Sequence, residues 1–177
     1  MKFRLLISFI CAYSAAALYA QDPEFREGFI LHGRMQHGLI TQFKSGTEPY
    51  AGSLQLIPQA TIIPGLIRGG IIAGAFYTNQ VLSGIAGPTV SVKIKTFYAG
   101  DFGSAANLHL SADHLWGTND QRLLGGGIHL DLLNKITIGI SSHRDYRLNN
   151  WLFQTALGFR LSKIRVIPEP FNQPTIL

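Results

Sequence analysis

The sequence predicts an all-β fold, an up-and-down antiparallel barrel of about eight strands, and three observations carry that prediction. From Asn107 to Leu161 the residues sort by parity: Leu108, Leu110 and Ala112 against His109, Ser111 and Asp113, then Ile136, Ile138 and Ile140 against Thr137, Gly139 and Ser141. Successive strand side chains point to opposite faces, so each segment has one apolar and one polar face. Gly, Pro, Asn and Asp interrupt the pattern about every ten residues, the length of a tilted membrane-crossing strand. Only 14% of residues are charged, against about 25% in a soluble domain. Neither face holds the Lys, Glu and Asp that keep a soluble sandwich in solution. The alternation therefore fits a transmembrane barrel with lipid outside and a wet lumen.

The elements follow in chain order. Residues 1–20 read as a cleaved signal peptide: Lys2 and Arg4 precede the apolar run from Leu5 to Ile10, and Ala15, Ala16, Ala17 and Ala20 supply small residues before the cut. Cleavage falls after Ala20 or, through Ala15-x-Ala17, three residues earlier. An uncleaved anchor would need a longer run, of ~20 residues. A lipoprotein site at Cys11 would need a small residue where Ile10 stands. Cys11 is the only cysteine, so the mature chain has no disulfide, thiol nucleophile or cysteine-ligated metal. Losing Lys2 and Arg4 takes 15 basic residues to 13 against 10 acidic ones, and the formal charge from +5 to +3. That is too little and too dispersed for a nucleic-acid surface.

Residues 21–162 form the expected barrel, with strands near 26–40, 50–58, 66–78, 88–99, 106–116, 121–132, 135–144 and 151–162. The first carries His32, Arg34 and Gln36 on one parity, and the second follows the Lys44 to Pro49 connection. Pro64-Gly65 turns the chain into the third; a helix over Ile62 to Phe76 is disfavoured by Pro64, Arg68 and glycines 65, 69, 70 and 74. Asn79 to Gly87 is expected as a connection, so the fourth strand starts at Pro88 and carries Lys93 and Lys95. Gly100 to Ser104, Gly117 to Asp120, Asn134-Lys135 and Asp145 to Asn150 separate the rest. Consecutive hairpins in even number close into a barrel without edges, which puts both termini on the periplasmic side. The tail, 163–177, holds Pro168, Pro170 and Pro174 and cannot be a ladder strand.

An export signal, two-faced strands and short hairpins together make the chain resemble the small outer-membrane β-barrel proteins of Gram-negative bacteria. The last strand, Phe153-Gln154-Thr155-Ala156-Leu157-Gly158-Phe159-Arg160-Leu161, is similar to the terminal signal read by the barrel-assembly machinery, although this chain continues past it. The resemblance implies Sec-dependent export, residence in the outer membrane, and outer-membrane lipid and the assembly machinery as partners. Members of the class include inert anchors, small pores and enzymes acting on lipid A.

An eight-stranded barrel is about filled by its own side chains. The inward candidates are His32, Arg34, Gln36, Lys93, Lys95, His109, Ser111, Asp113, His129, Asp131, His143, Gln154 and Arg160. Centring the hairpins on Asn119 and Asn134 sets His109 opposite His129 and Asp113 opposite Gly125, with His143 on the far side of that glycine. The leading expectation is a polar network of Arg34, Lys93, Lys95, His109, Asp113, His129, Asp131, His143 and Arg160 that plugs the lumen, because unpaired charge there is expensive. The protein is then a non-enzymatic structural or accessory component with no cofactor. A metal at His109 and His129 is chemically competent, but Lys95 in the same layer would repel it. His109-x-Ser111 is similar to the His-x-Ser pair of outer-membrane lipid A deacylases, with Asp113 or Asp131 as orienting acid. That makes a lipid A modifying hydrolase the alternative and a narrow small-solute channel the third reading. Trp116, Trp151, Phe153, Phe97 and Tyr98 fall toward strand ends as interfacial girdles do; Phe29, Phe76 and Phe159 are expected to face lipid or pack the barrel.

Overall fold

The computed structural model describes residues 28–43, 49–78, 81–98, 104–133 and 135–162. The expected signal peptide, the tail and most of the 44–49 and 100–104 connections lie outside them. The strands are β1 (Phe29–Thr41), β2 (Tyr50–Ile63), β3 (Ile67–Thr78), β4 (Val81–Tyr98), β5 (Ser104–Gly117), β6 (Arg122–Leu132), β7 (Ile136–Asp145) and β8 (Asn150–Arg160). Each pairs antiparallel with its neighbours in sequence, and β8 returns to β1 from His32↔Arg160 to Thr41↔Trp151. This is a closed up-and-down barrel in which no strand edge is left unpaired. One rim, here called terminal, holds the start of β1, the end of β8, the 64–66 turn and the end of β6 with the start of β7; the distal rim holds the 118–121 and 146–149 turns.

Two boundaries and one register differ from the sequence reading, and the boundary differences trace to proline. β2 continues through Pro58 to Ile63, and β4 begins at Val81, so most of the expected 79–87 connection is strand. Pro58 pairs with Leu31 on the β1 side, while the ladder to β3 passes from Leu56↔Ala73 to Gln59↔Gly70 in unchanged register. Pro88 pairs with Ile71, and the ladder to β5 passes from Ala86↔Trp116 to Thr89↔Asp113. A proline lacks only the N–H, so each ladder omits two residue pairs and resumes in register. The third difference is a β-bulge: Lys93 faces His109 and Lys95 faces Leu108, leaving Ile94 as an extra residue. One inserted residue reverses the parity beyond it. Lys95, expected in the lumen, therefore lies exposed on the outer face with its Nζ 5.2 Å from the Phe97 ring centroid. Thr96 points inward instead, to Asn107 at 2.8 Å.

The outer face is a belt of exposed apolar side chains, among them Leu54 (65% exposed), Ile71 (55%) and Ile140 (61%). Phe29 and Phe159 belong to it, whereas Phe76 is buried inside. The interior divides along the axis. Toward the distal rim it is a hydrophobic stopper of Ile40, Ala51, Ile72, Phe76, Ile85, Leu115, Leu123 and Leu152. Below it the inward positions are predominantly polar, interrupted by the buried Ile30, Ile57 and Ala156.

Candidate functional site in the barrel interior

Short hairpins fix the register that assembles the polar half. β5 and β6 align His109 with His129 and Asp113 with Gly125, and β7 sets His143 against that same glycine. Because Gly125 has no side chain, the residues on either side of it meet: His143 Nε2 lies 3.3 Å from Asp113 Oδ2. A Cβ at Gly125 would come within 2.9 Å of His143 Cδ2 and closer still to the β7 backbone. Thr89 donates to Asp113 Oδ1 at 2.5 Å, and Arg34 Nη2 stands 3.9 Å from Oδ2. Asp113 thus joins β1, β4, β5 and β7 at one buried carboxylate.

Arg34 extends the network sideways. Its Nε donates to Gln55 Oε1 at 2.9 Å, and Gln55 in turn donates to Gln36 Oε1 at 2.9 Å. Gln36 donates to Ser141 Oγ at 3.1 Å, which reaches β7 across the lumen. Toward the terminal rim His109 Nδ1 lies 3.0 Å from Asp131 Oδ2, and Thr137 also donates to Asp131. Gln59 donates to Ser91 Oγ at 3.0 Å. Charge is taken up within the barrel by carboxylates and side-chain amides, as the cost of burying polar groups requires.

Of the residues singled out from sequence, Arg34, Lys93, His109, Asp113, His129, Asp131 and His143 are buried inside. Gln36 and Gln154 are buried too, and His32, Ser111 and Arg160 are half-buried. Lys95 is outside for the reason given above. The inward candidates from sequence do not include Gln55, Gln59, Arg68, Thr89, Ser91 and Asn107, all buried; Thr137 and Ser141, read from sequence as polar-face residues, are buried as well. Parity was the available signal: Gln55 alternates with Leu54 and Leu56, and Thr89 and Ser91 share the parity of Lys93.

The geometry rearranges the expected catalytic pair. Ser111 Oγ lies 3.1 Å from Nε2 of His129 rather than being held by His109. Ser111 faces Gly127 across the ladder, and the missing side chain there lets the diagonal neighbour reach it. Arg34 Nη1, which can only donate, is 3.4 Å from the same Nε2; that nitrogen accepts, so the ring proton sits on Nδ1. Nδ1 has no hydrogen-bond partner among the described residues. A general base needs an acid at that atom to orient it, and the acids are engaged elsewhere, Asp131 with His109 and Asp113 with His143. The cavity that Ser111 and His129 line holds about 30 Å³, space for one or two waters. Ser111→Ala is therefore expected to change stability by about 1 kcal/mol or less, the worth of one neutral hydrogen bond, and to leave the acylation of cellular lipid A unaltered in mass spectra.

The His109 and His129 rings stack, with centroids 5.3 Å apart. Among the described residues no three His, Cys, Asp or Glu side chains gather as a metal-binding group, and Lys93 faces His109 in the ladder.

No family model and no curated protein matches the chain. Among solved structures it is similar to one from the de novo design of transmembrane β-barrels, at a TM-score of 0.48 and 10% identity over 75% of this chain and 95% of that one. It is also similar to the solution NMR structure of the de novo designed TMB2.3, at a TM-score of 0.47 and 15% identity over 81% and 100% of the two chains.

Proposed function

We propose that the chain is an outer-membrane β-barrel protein with a structural or accessory role, exported after loss of residues 1–20 and carrying a lumen closed by its own side chains. The observation that supports this most is the inversion of burial. The outside is apolar and exposed, while Arg34, Asp113, Asp131 and three histidines are buried inside. Water as the outer solvent would favour the opposite arrangement, and hydrocarbon favours this one. Asparagine-, aspartate- and arginine-bearing turns and the aromatics Trp116, Tyr146 and Trp151 mark the distal rim, where an interfacial girdle is expected.

A plugged barrel is favoured over a pore because two closures lie in series, the hydrophobic stopper and the network around Asp113. Planar-bilayer recording on the refolded chain is expected to give no discrete conductance steps; regular steps would overturn the closed-lumen reading in favour of a small-solute channel.

A further inference from the structure

We propose that the outer face holds a site for an anionic lipid with a terminal phosphate monoester, its acyl chain in a groove and its phosphate on a cluster of arginines; this rests on the membrane reading above. The groove encloses about 580 Å³ across β6, β7, β8 and β1. Gly126 leaves its floor without a side chain, and Leu39, Ile128, Ile140 and Phe153 wall it. All four are exposed apolar side chains. A concavity with such walls in the lipid-facing belt is filled by a chain of matching character.

The rim above the groove chooses the headgroup. Arg144 follows Ser142 on the same face of β7, four residues or about 13 Å beyond Ile140, and its guanidinium lies 5.9 Å from the Trp151 ring centroid. Arg122 at the start of β6 and Arg147 in the next turn are also exposed at this rim. None of the three guanidinium groups has a carboxylate partner among the described residues. Among the described residues Arg144 donates only to Asn149 Oδ1, at 3.3 Å. Of the two acids at this rim, Asp145 is buried and turned to the backbone N–H groups of Arg122, Arg147 and Leu148, and the exposed Asp120 in the 118–121 turn makes no ion pair with them among the described residues. Forked donors without a counter-charge, set at headgroup height over an apolar groove, match a phosphate rather than a zwitterion.

The two tryptophans of the chain, Trp116 and Trp151, both stand at this rim and report on it. The full mature chain would be refolded into phosphatidylcholine vesicles containing a minor fraction of dibrominated phosphatidate or, in parallel, dibrominated phosphatidylcholine with the same chains. Exposed charge pairs are individually weak, so phosphatidate is expected to quench as if enriched about threefold over its mole fraction. Phosphatidylcholine should quench at its mole fraction. Arg122→Gln with Arg144→Gln should abolish the excess, and Ser142→Leu, which fills the groove, should reduce it; gel migration without heating shows that each variant is folded. Equal quenching by both lipids in the unaltered chain, or an excess that survives the arginine substitutions, would overturn the proposal. So would crosslinking that shows a second copy in the groove. Absence of quenching by either lipid would instead count against membrane insertion itself.

Discussion

Asp113→Leu is expected to destabilise the barrel by about 3 to 5 kcal/mol, the cost of removing one partner from a buried charge network. The substitution leaves Arg34 and His143 buried without the carboxylate they both approach, and it orphans the Thr89 hydroxyl. Urea unfolding of the refolded protein, followed by tryptophan fluorescence, measures the loss. The interpretation is tested by adding Arg34→Met: if the penalty comes from an uncompensated guanidinium, the double variant should be more stable than Asp113→Leu alone. Groups in one network couple in this non-additive way. A loss below about 1 kcal/mol, the usual value for an exposed ion pair, would mean that Asp113 is hydrated and the interior is not closed.

The second large effect is expected at Gly125. A valine there must displace the β7 backbone and separate Asp113 from His143, and overpacking of this kind costs about 3 kcal/mol or more. Gly84→Ala is the control, because its Cβ would meet only the Thr118 Cγ2 at 3.3 Å. Refolding yield, read from the fraction of compact barrel on unheated gels, should fall sharply for Gly125→Val and stay unchanged for Gly84→Ala. Equal yields would show that β6 does not lie as close to β7 as the Asp113–His143 contact requires.

The residues behind these two predictions were readable from the sequence, and the reason is local. Between Asn107 and Asp145 the strands are joined by short turns centred near Asn119 and Asn134, so parity and turn position together fix the pairing of His109 with His129 and of Asp113 with His143 through Gly125. Elsewhere the signals conflict. Pro58 and Pro88 read as stops, yet each costs its ladder little more than the hydrogen bond that its missing N–H would have made. Lys95 shares the parity of Lys93, and nothing local to Ile94 announces the bulge that separates them. The exchange of His109 for His129 at Ser111 is a diagonal contact allowed by Gly127, which parity alone does not rank above a contact along the strand. The hydrophobic stopper lay in view: Leu115, Leu123 and Leu152 carry the inward parity. The assumption of one wholly polar face hid it, because a barrel closed at one end has no need of water along its whole length.

The central claim is that hydrocarbon surrounds a closed, dry-cored barrel. Since Cys11 is the only cysteine and lies in the expected signal peptide, single cysteines can be placed along Ile136–Asp145 and labelled with a nitroxide in refolded vesicles. Labels at Ile136, Ile138 and Ile140 should collide with dissolved oxygen and not with a water-soluble nickel chelate, while labels at Thr137 and Ser141 should collide with neither. Nickel collisions at the isoleucines would place the outer face in water, and nickel collisions at the alternate positions would place water in the lumen; either result would contradict the account.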